Sequence, residues 1–188
     1  MAKNKVEFGI SNLHVFTYDD SSTPTVLGAP YHQEGAVNFA PEQDADNNVF
    51  YADNIAFWSE YNEGPFEGDL EVAKFDDDFK IQFLGYKRLA NGGLAQVKGA
   101  TKPKVCVAFE IEGDAEKRRA CFYNCSLGVI GREYATIEDS KEPATETLGI
   151  TCVGDKASGV TKATFTPDDP EYSVLFTAPT VPEIESES

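Results

Sequence analysis

Apolar and polar residues alternate with a period of two along most of this chain. In KVCVAFEIEG, residues 104–113, Val105, Val107, Phe109 and Ile111 fall on one side and Cys106, Ala108, Glu110 and Glu112 on the other. That is the pattern of a half-buried β-strand, in which successive side chains point to opposite faces. The same period predicts strands over Lys5–Phe8, Leu13–Tyr18, Ala36–Ala40, Val49–Trp58, Phe66–Ala73, Arg119–Leu127, Glu146–Val153, Val160–Phe165 and Tyr172–Phe176. Turn residues such as Asn91-Gly92-Gly93, Glu112-Gly113-Asp114 and Gly154-Asp155 separate them. One segment, FDDDFKIQFLGY, breaks the alternation. Its aspartates offer an N-cap and complement the positive end of a helix dipole, Phe79 and Phe83 lie one turn apart, and Gly85 supplies the stop. A single short helix over about residues 77–84 is expected in an otherwise β chain.

Two stretches have little to bury. Pro41, Glu42, Gln43, Asp44, Ala45, Asp46, Asn47 and Asn48 form a polar, acidic run between strand-like segments, which predicts the long tip of a hairpin. From Thr177 the sequence TAPTVPEIESES predicts an extended or disordered arm. The expected organisation is one β domain over residues 1–176, followed by an arm over 177–188.

Charge narrows the range of partners. The 188 residues carry 32 Asp and Glu against 16 Lys and Arg, a formal net charge of -16. Such a chain repels phosphate-rich partners unless its basic residues converge. The only basic cluster in the sequence, Lys117-Arg118-Arg119, has Asp114 and Glu116 beside it and predicts a salt-bridged hairpin. The stretch VFYADNIAFWSEYNEGPFEGDLEV is both aromatic and acidic, so it must bury one side and wet the other. The amino terminus MAKNKVEFGI lacks the apolar segment of a signal peptide, and no apolar run reaches the length of a membrane span. A soluble protein made in the cytoplasm, with no membrane partner, is expected.

The candidate chemistry is sparse. Cys106, Cys121, Cys125 and Cys152 lack the paired spacing of a zinc site, and on one strand Cys121 and Cys125 are about 13 Å apart, too far to bridge. They are expected to be reduced and buried. Glu67, Asp69 and Glu71 stand two apart on one predicted strand face, which a glycosidase would also show, but paired carboxylates arise readily in so acidic a chain. A helix start accounts for the Asp76–Asp78 run without calcium. Neither His14 nor His32 belongs to a triad motif, and no glycine loop cradles phosphate. No catalytic residue, metal or cofactor is expected.

The order of motifs carries more than any one of them. KVEFGISNLHV, GAVNF, NNVFYADNIAF, EGPFEGDLEVAKFDDDFKIQFLGY, NGGL, KPKVCVAFEIEGDAEKRRACFYNCSLG and DSKEPATETLGITC, spanning about Lys5 to Cys152, together resemble the major tail proteins of long-tailed bacteriophages (siphoviruses) and prophages of Gram-positive bacteria. The resemblance implies a β-sandwich or barrel of tail-tube type with one flanking helix. It implies a structural virion protein that forms stacked hexameric rings, the conduit for DNA ejection. Its partners would be further copies of itself, the tape-measure protein and the tail-end ring proteins, with genomic DNA passing through unbound. Phe50, Tyr51, Phe57 and Trp58 would then bury against the sheet and neighbouring subunits, residues 41–48 would reach another subunit or ring, and Glu67, Asp69 and Glu71 would face the lumen or another wet surface. Another ring-forming tail component and a non-enzymatic β-sandwich binding module are the alternatives.

Overall fold

A computed structural model describes residues 7–22, 24–134 and 143–184. The expectations for Lys5 and Val6, for residues 139–142 of the last motif and for residues 185–188 of the arm lie outside the described residues. The chain is mainly β. Its elements run β1 (Gly9–Asp19), β2 (Val26–Leu27), β3 (Tyr31–His32), β4 (Ala36–Ala52), β5 (Ile55–Val72), α1 (Asp77–Leu84), β6 (Lys87–Arg88), β7 (Leu94–Ala95), β8 (Lys104–Glu112), β9 (Arg119–Arg132), β10 (Glu146–Cys152), β11 (Lys162–Phe165) and α2 (Pro170–Val174).

One antiparallel sheet holds most of these strands in the order β2-β1-β8-β9-β10-β5-β4, with β3 on β1 and β11 continuing beside β9. The sheet curls until β4 comes back against β1, giving an open barrel. Inside it lie Val105, Val107 and Phe109 of β8, Leu13 and Val15 of β1, Leu70 and Val72 of β5, and Phe39, Phe122 and Leu148. Helix α1 closes one end with Phe79, Phe83 and Leu84. Gly85 ends it in the left-handed region at φ 71°. Asp76 is the N-cap by position, but its side chain makes no capping bond and instead accepts the Tyr31 hydroxyl at 3.3 Å.

The alternation in β8 is real, but the half-buried expectation is not met: Cys106 and Ala108, on the opposite face, are also fully buried. They join Phe16, Tyr18, Cys121 and Tyr123 in a second apolar layer, closed by Leu175. The cover comes from the carboxy-terminal segment, where residues 172–176, expected as a strand, are helical or turn. Asp169 and Pro170 start α2, proline at the first helical position being compatible with its missing N–H. The chain thus has a second helix beyond the single one expected. Arg119 clamps α2 to the sheet: its guanidinium lies 4.0 Å from the Tyr172 ring centre and 4.3 Å from that of Phe176, donates to the Tyr172 carbonyl and pairs with Glu110 at 2.7 Å. All four cysteines are free and buried. Arg118 pairs with Asp114 at 2.6 Å, as expected of a salt-bridged hairpin.

A buried charge cluster joins the helix to the sheet. Glu146, 4% exposed, lies 3.1 Å from Lys80 of α1 and 3.2 Å from Arg132 of β9, and accepts the Phe75 backbone N–H at 2.8 Å. Burial alone would raise its pKa, but the Phe75 N–H and the two cations outweigh burial and hold the carboxyl below its ordinary value of 4.5.

Candidate assembly surface

Strands β4 and β5 form one long hairpin. Near its base β5 is sandwiched between β4 and β10, which pairs with Phe66–Val72. Beyond Phe66 the hairpin continues as a two-stranded ribbon, Ala45–Ala52 against Ile55–Glu63. At about 3.4 Å per residue this ribbon stands roughly 30 Å clear of the barrel. Gly68, paired with both β4 and β10 just before the ribbon leaves, allows a close approach: a Cβ there would fall 2.3 Å from the Ala40 carbonyl oxygen, so the two backbones come together as only glycine permits.

The turn is Asp53-Asn54, with φ of 52° and 63°. Both central residues of a type I′ hairpin turn need positive φ, which Asp and Asn tolerate. Residues 41–48 are therefore not the tip. They lie within β4, paired with β5 from Pro41↔Gly68 to Asn48↔Glu60, and all but the half-buried Pro41 are exposed. The segment is polar because both faces of the ribbon meet solvent, which removes the apolar half of the strand pattern.

The aromatics sit near the true tip. Phe50 pairs across the ladder with Trp58, and Tyr51 with Ala56, a register shift between the two pairs leaving Phe57 unmatched. None is buried within the chain: Phe50 is 60% exposed, Tyr51 66%, Phe57 71% and Trp58 51%. The expectation that they pack against their own sheet is corrected, because the ribbon extends past the other described elements that could cover them. Tyr61, another aromatic of the same stretch, and Ile55, which its sequence pattern does not mark, share the exposure. So large an apolar surface on a projecting arm marks an interaction site.

Glu67 and Asp69 are exposed and Glu71 is half-buried, opposite in the ladder to Thr151, Gly149 and Thr147 of β10. They occupy the face of β5 turned away from Leu70 and Val72, which point into the barrel. Glu42 sits directly across from Glu67, a like-charge pairing that costs stability in a free sheet. Thr145 donates to Glu71. The face is an open, acidic, hydroxyl-lined wall, with Ser126 of β9 at its side. Among the described residues no three His, Cys, Asp or Glu side chains gather as a metal site, and no helix is long and apolar enough to cross a membrane.

A barrel with a projecting apolar hairpin, an acidic wall and a long β4 edge to which no second described strand is hydrogen-bonded is the anatomy of a subunit that joins others. A family model described as phage tail tube protein matches residues 19–152. The chain belongs to the phage tail tube protein family. The family is structural and non-enzymatic. The match takes in the whole hairpin, α1 and the strands from β2 through β10, and leaves out β1 but for Asp19 as well as β11 and α2, the segment that covers the second apolar layer. Among solved structures, the chain is similar to the tube-terminating cap of the anti-feeding prophage, with a TM-score of 0.50 at 9% identity, covering 88% of this chain and 96% of that one. A subunit of the sheath-tube complex of an extracellular contractile injection system aligns with a TM-score of 0.46 at 9% identity, over 86% of this chain and 94% of that one. The first likeness shows the shared fold. A search of curated proteins gave no match.

Proposed function

We propose that this chain is the major subunit of the tail tube of a siphovirus or prophage of Gram-positive bacteria, made in the host cytoplasm and incorporated into the virion. Six copies close into a ring by adding strands edge to edge, and the rings stack into the conduit through which DNA leaves. The tape-measure protein and the tail-end ring proteins are its further partners. The observation that carries this reading is the β4 edge, which runs from Ala36 to Ala52 as the last strand of the sheet. An unpaired edge of that length invites aggregation unless another chain completes it, and closure into a ring uses every edge. Family membership supports the tube, and the exposed aromatics support contact between subunits. Residues 177–188 form an arm in this reading; in the free subunit its Thr180 is tied back to Glu171 of α2 by bonds of 2.7 and 2.6 Å, and assembly redirects it to a neighbour.

Glu67 and Asp69 face the lumen in this proposal. An acidic wall gives passing phosphates nothing to bind, so the duplex does not stall. Replacing both by lysine, and leaving Glu71 with its Thr145 contact, is expected to yield phage whose tubes form but eject DNA more slowly at low salt than at high salt. Ejection at the wild-type rate under both conditions would remove these residues from the channel and leave the tube itself standing.

A further inference from the structure

Charge is segregated along this chain. Between Val6 and Ala73, which includes the whole hairpin, there is no lysine or arginine, and between Phe79 and Phe109 there is no aspartate or glutamate. The second block contains the connection from α1 to β8 with the first residue of that strand, residues 85–104. There Lys87 and Lys98 are exposed and Lys102 is half-buried. In a protein with a net charge of -16 carboxylate partners abound, yet among the described residues none of these three lysines forms an ion pair. Lys102 donates instead to the backbone carbonyls of Leu127, at 3.2 Å, and Gly128, and burial lowers its pKa. Beside it opens a recess of about 390 Å³, lined by Leu84, Val97, Ala100 and Val129 with Lys98 and Lys102 at its rim. Val97 and Val129 are themselves 42% and 64% exposed. The surface is therefore apolar with a cationic border, where Arg88 pairs with Asp78 of α1 at 3.8 Å while Lys87, Lys98 and Lys102 have no carboxylate partner among the described residues.

The hairpin is its complement. Its outer ribbon presents Phe57 and Trp58 beside Glu60 and Glu63, with no base to neutralise them, and no described part of the same chain covers it. We propose that the outer β4–β5 hairpin of one copy docks on the 85–104 surface of a second copy, with an aromatic ring in the recess and hairpin carboxylates against Lys87, Lys98 and Lys102. This rests on the tube reading and names the receptor that reading leaves open. Each copy carries one hairpin and one receptor, so the contact is head-to-tail and propagates from subunit to subunit. A recess of this size accepts one aromatic side chain. Cations around it gain from the carboxylates that arrive with the ring and steer the approach. A phosphate polymer would satisfy the lysines but leave the apolar floor and the hairpin aromatics uncovered, which favours the second copy.

The test uses the full-length protein. A 1:1 mixture of unlabelled and 15N-labelled protein, concentrated and treated with a zero-length carbodiimide, is expected to give mixed-isotope amide links from Glu60 or Glu63 to Lys87, Lys98 or Lys102. The exposed pair K87E/K98E is expected to cut the assembled fraction about tenfold or more at low salt, and adding E60K/E63K to the same chain to restore most of it. Circular dichroism and thermal melts confirm that both variants fold. Assembly of K87E/K98E at the wild-type level, no rescue by the fourfold variant, or inter-subunit links that avoid residues 85–104 would each overturn the docking site while tubes still form. DNA binding that K87E/K98E abolishes, with assembly unchanged, would overturn it in favour of a phosphate partner. Wild-type protein that never self-associates would overturn both this site and the tube reading.

Discussion

Replacing Phe57 and Trp58 together by serine is expected to raise the protein concentration at which assembly begins by about 10²–10⁴-fold and to leave the melting temperature of the free subunit nearly unchanged. Both side chains are more than half exposed, so removing them takes from the isolated chain little beyond the cross-strand contact of Trp58 with Phe50, worth about 0.2–1 kcal/mol. In an assembly each aromatic that becomes buried contributes about 1.5–3 kcal/mol, and two such losses give the stated range through the tenfold-per-1.4 kcal/mol relation. Sedimentation across a concentration series, paired with thermal melts, reads both quantities. A variant that assembles like the wild type would show that the hairpin tip takes no part in subunit contact. A melting temperature lowered by many degrees would show that the tip packs within its own chain.

The largest effect on folding is expected at Glu146. Its replacement by alanine leaves Lys80, 11% exposed, without its carboxylate, strips Arg132 of the same partner and leaves the Phe75 N–H unbonded. Removing one partner of a buried charge cluster costs about 3–5 kcal/mol, which for a chain of this size lowers the melting temperature by roughly 6–20 °C. Because the folded pKa of Glu146 is depressed, its contribution is complete above the ordinary value of 4.5 and is lost as the pH falls through the lower folded value. Glu146→Gln is expected to lose stability near neutrality and to show a flatter acid limb than the wild type. Urea denaturation at several pH values measures this, and a loss under about 1 kcal/mol for the alanine variant would contradict the role given to the cluster.

How far the sequence predicts this structure depends on what each element touches. The alternation in β8 assigns its side chains to the correct faces because a strand gives each residue a fixed side. It does not show that the Cys106 face is also covered, since the cover, α2, comes from the far end of the chain. Asp169-Pro170 is a helix-start signal, but Tyr172, Val174 and Phe176 favour a strand by type, and tertiary contact with Arg119 decides. The faces of β9 follow alternation only as far as Tyr123. Asn124, at φ 52°, inserts a bulge, after which Cys125 and Leu127 return to the barrel side with Phe122. Asparagine tolerates that conformation but does not announce it.

The hairpin is the instructive displacement. Reading Pro41–Asn48 as a tip equates polarity with a loop, whereas this ribbon is wet on both faces and its turn lies at Asp53-Asn54, a pair whose tolerance of positive φ is visible in the sequence. Glu67, Asp69 and Glu71 fall on the side opposite Leu70 and Val72, as a period of two requires. The Lys80–Glu146 pair was not legible because its members are 66 residues apart, although both fall in motifs that carried the family resemblance.

Electron microscopy of the purified wild-type protein across a concentration and salt series tests the tube reading most directly. The account predicts rings and stacked tubes with a central channel, growing more readily as salt screens the net charge of -16 on each chain. Monodisperse single subunits at every concentration and salt condition, with no ring or tube, would contradict it.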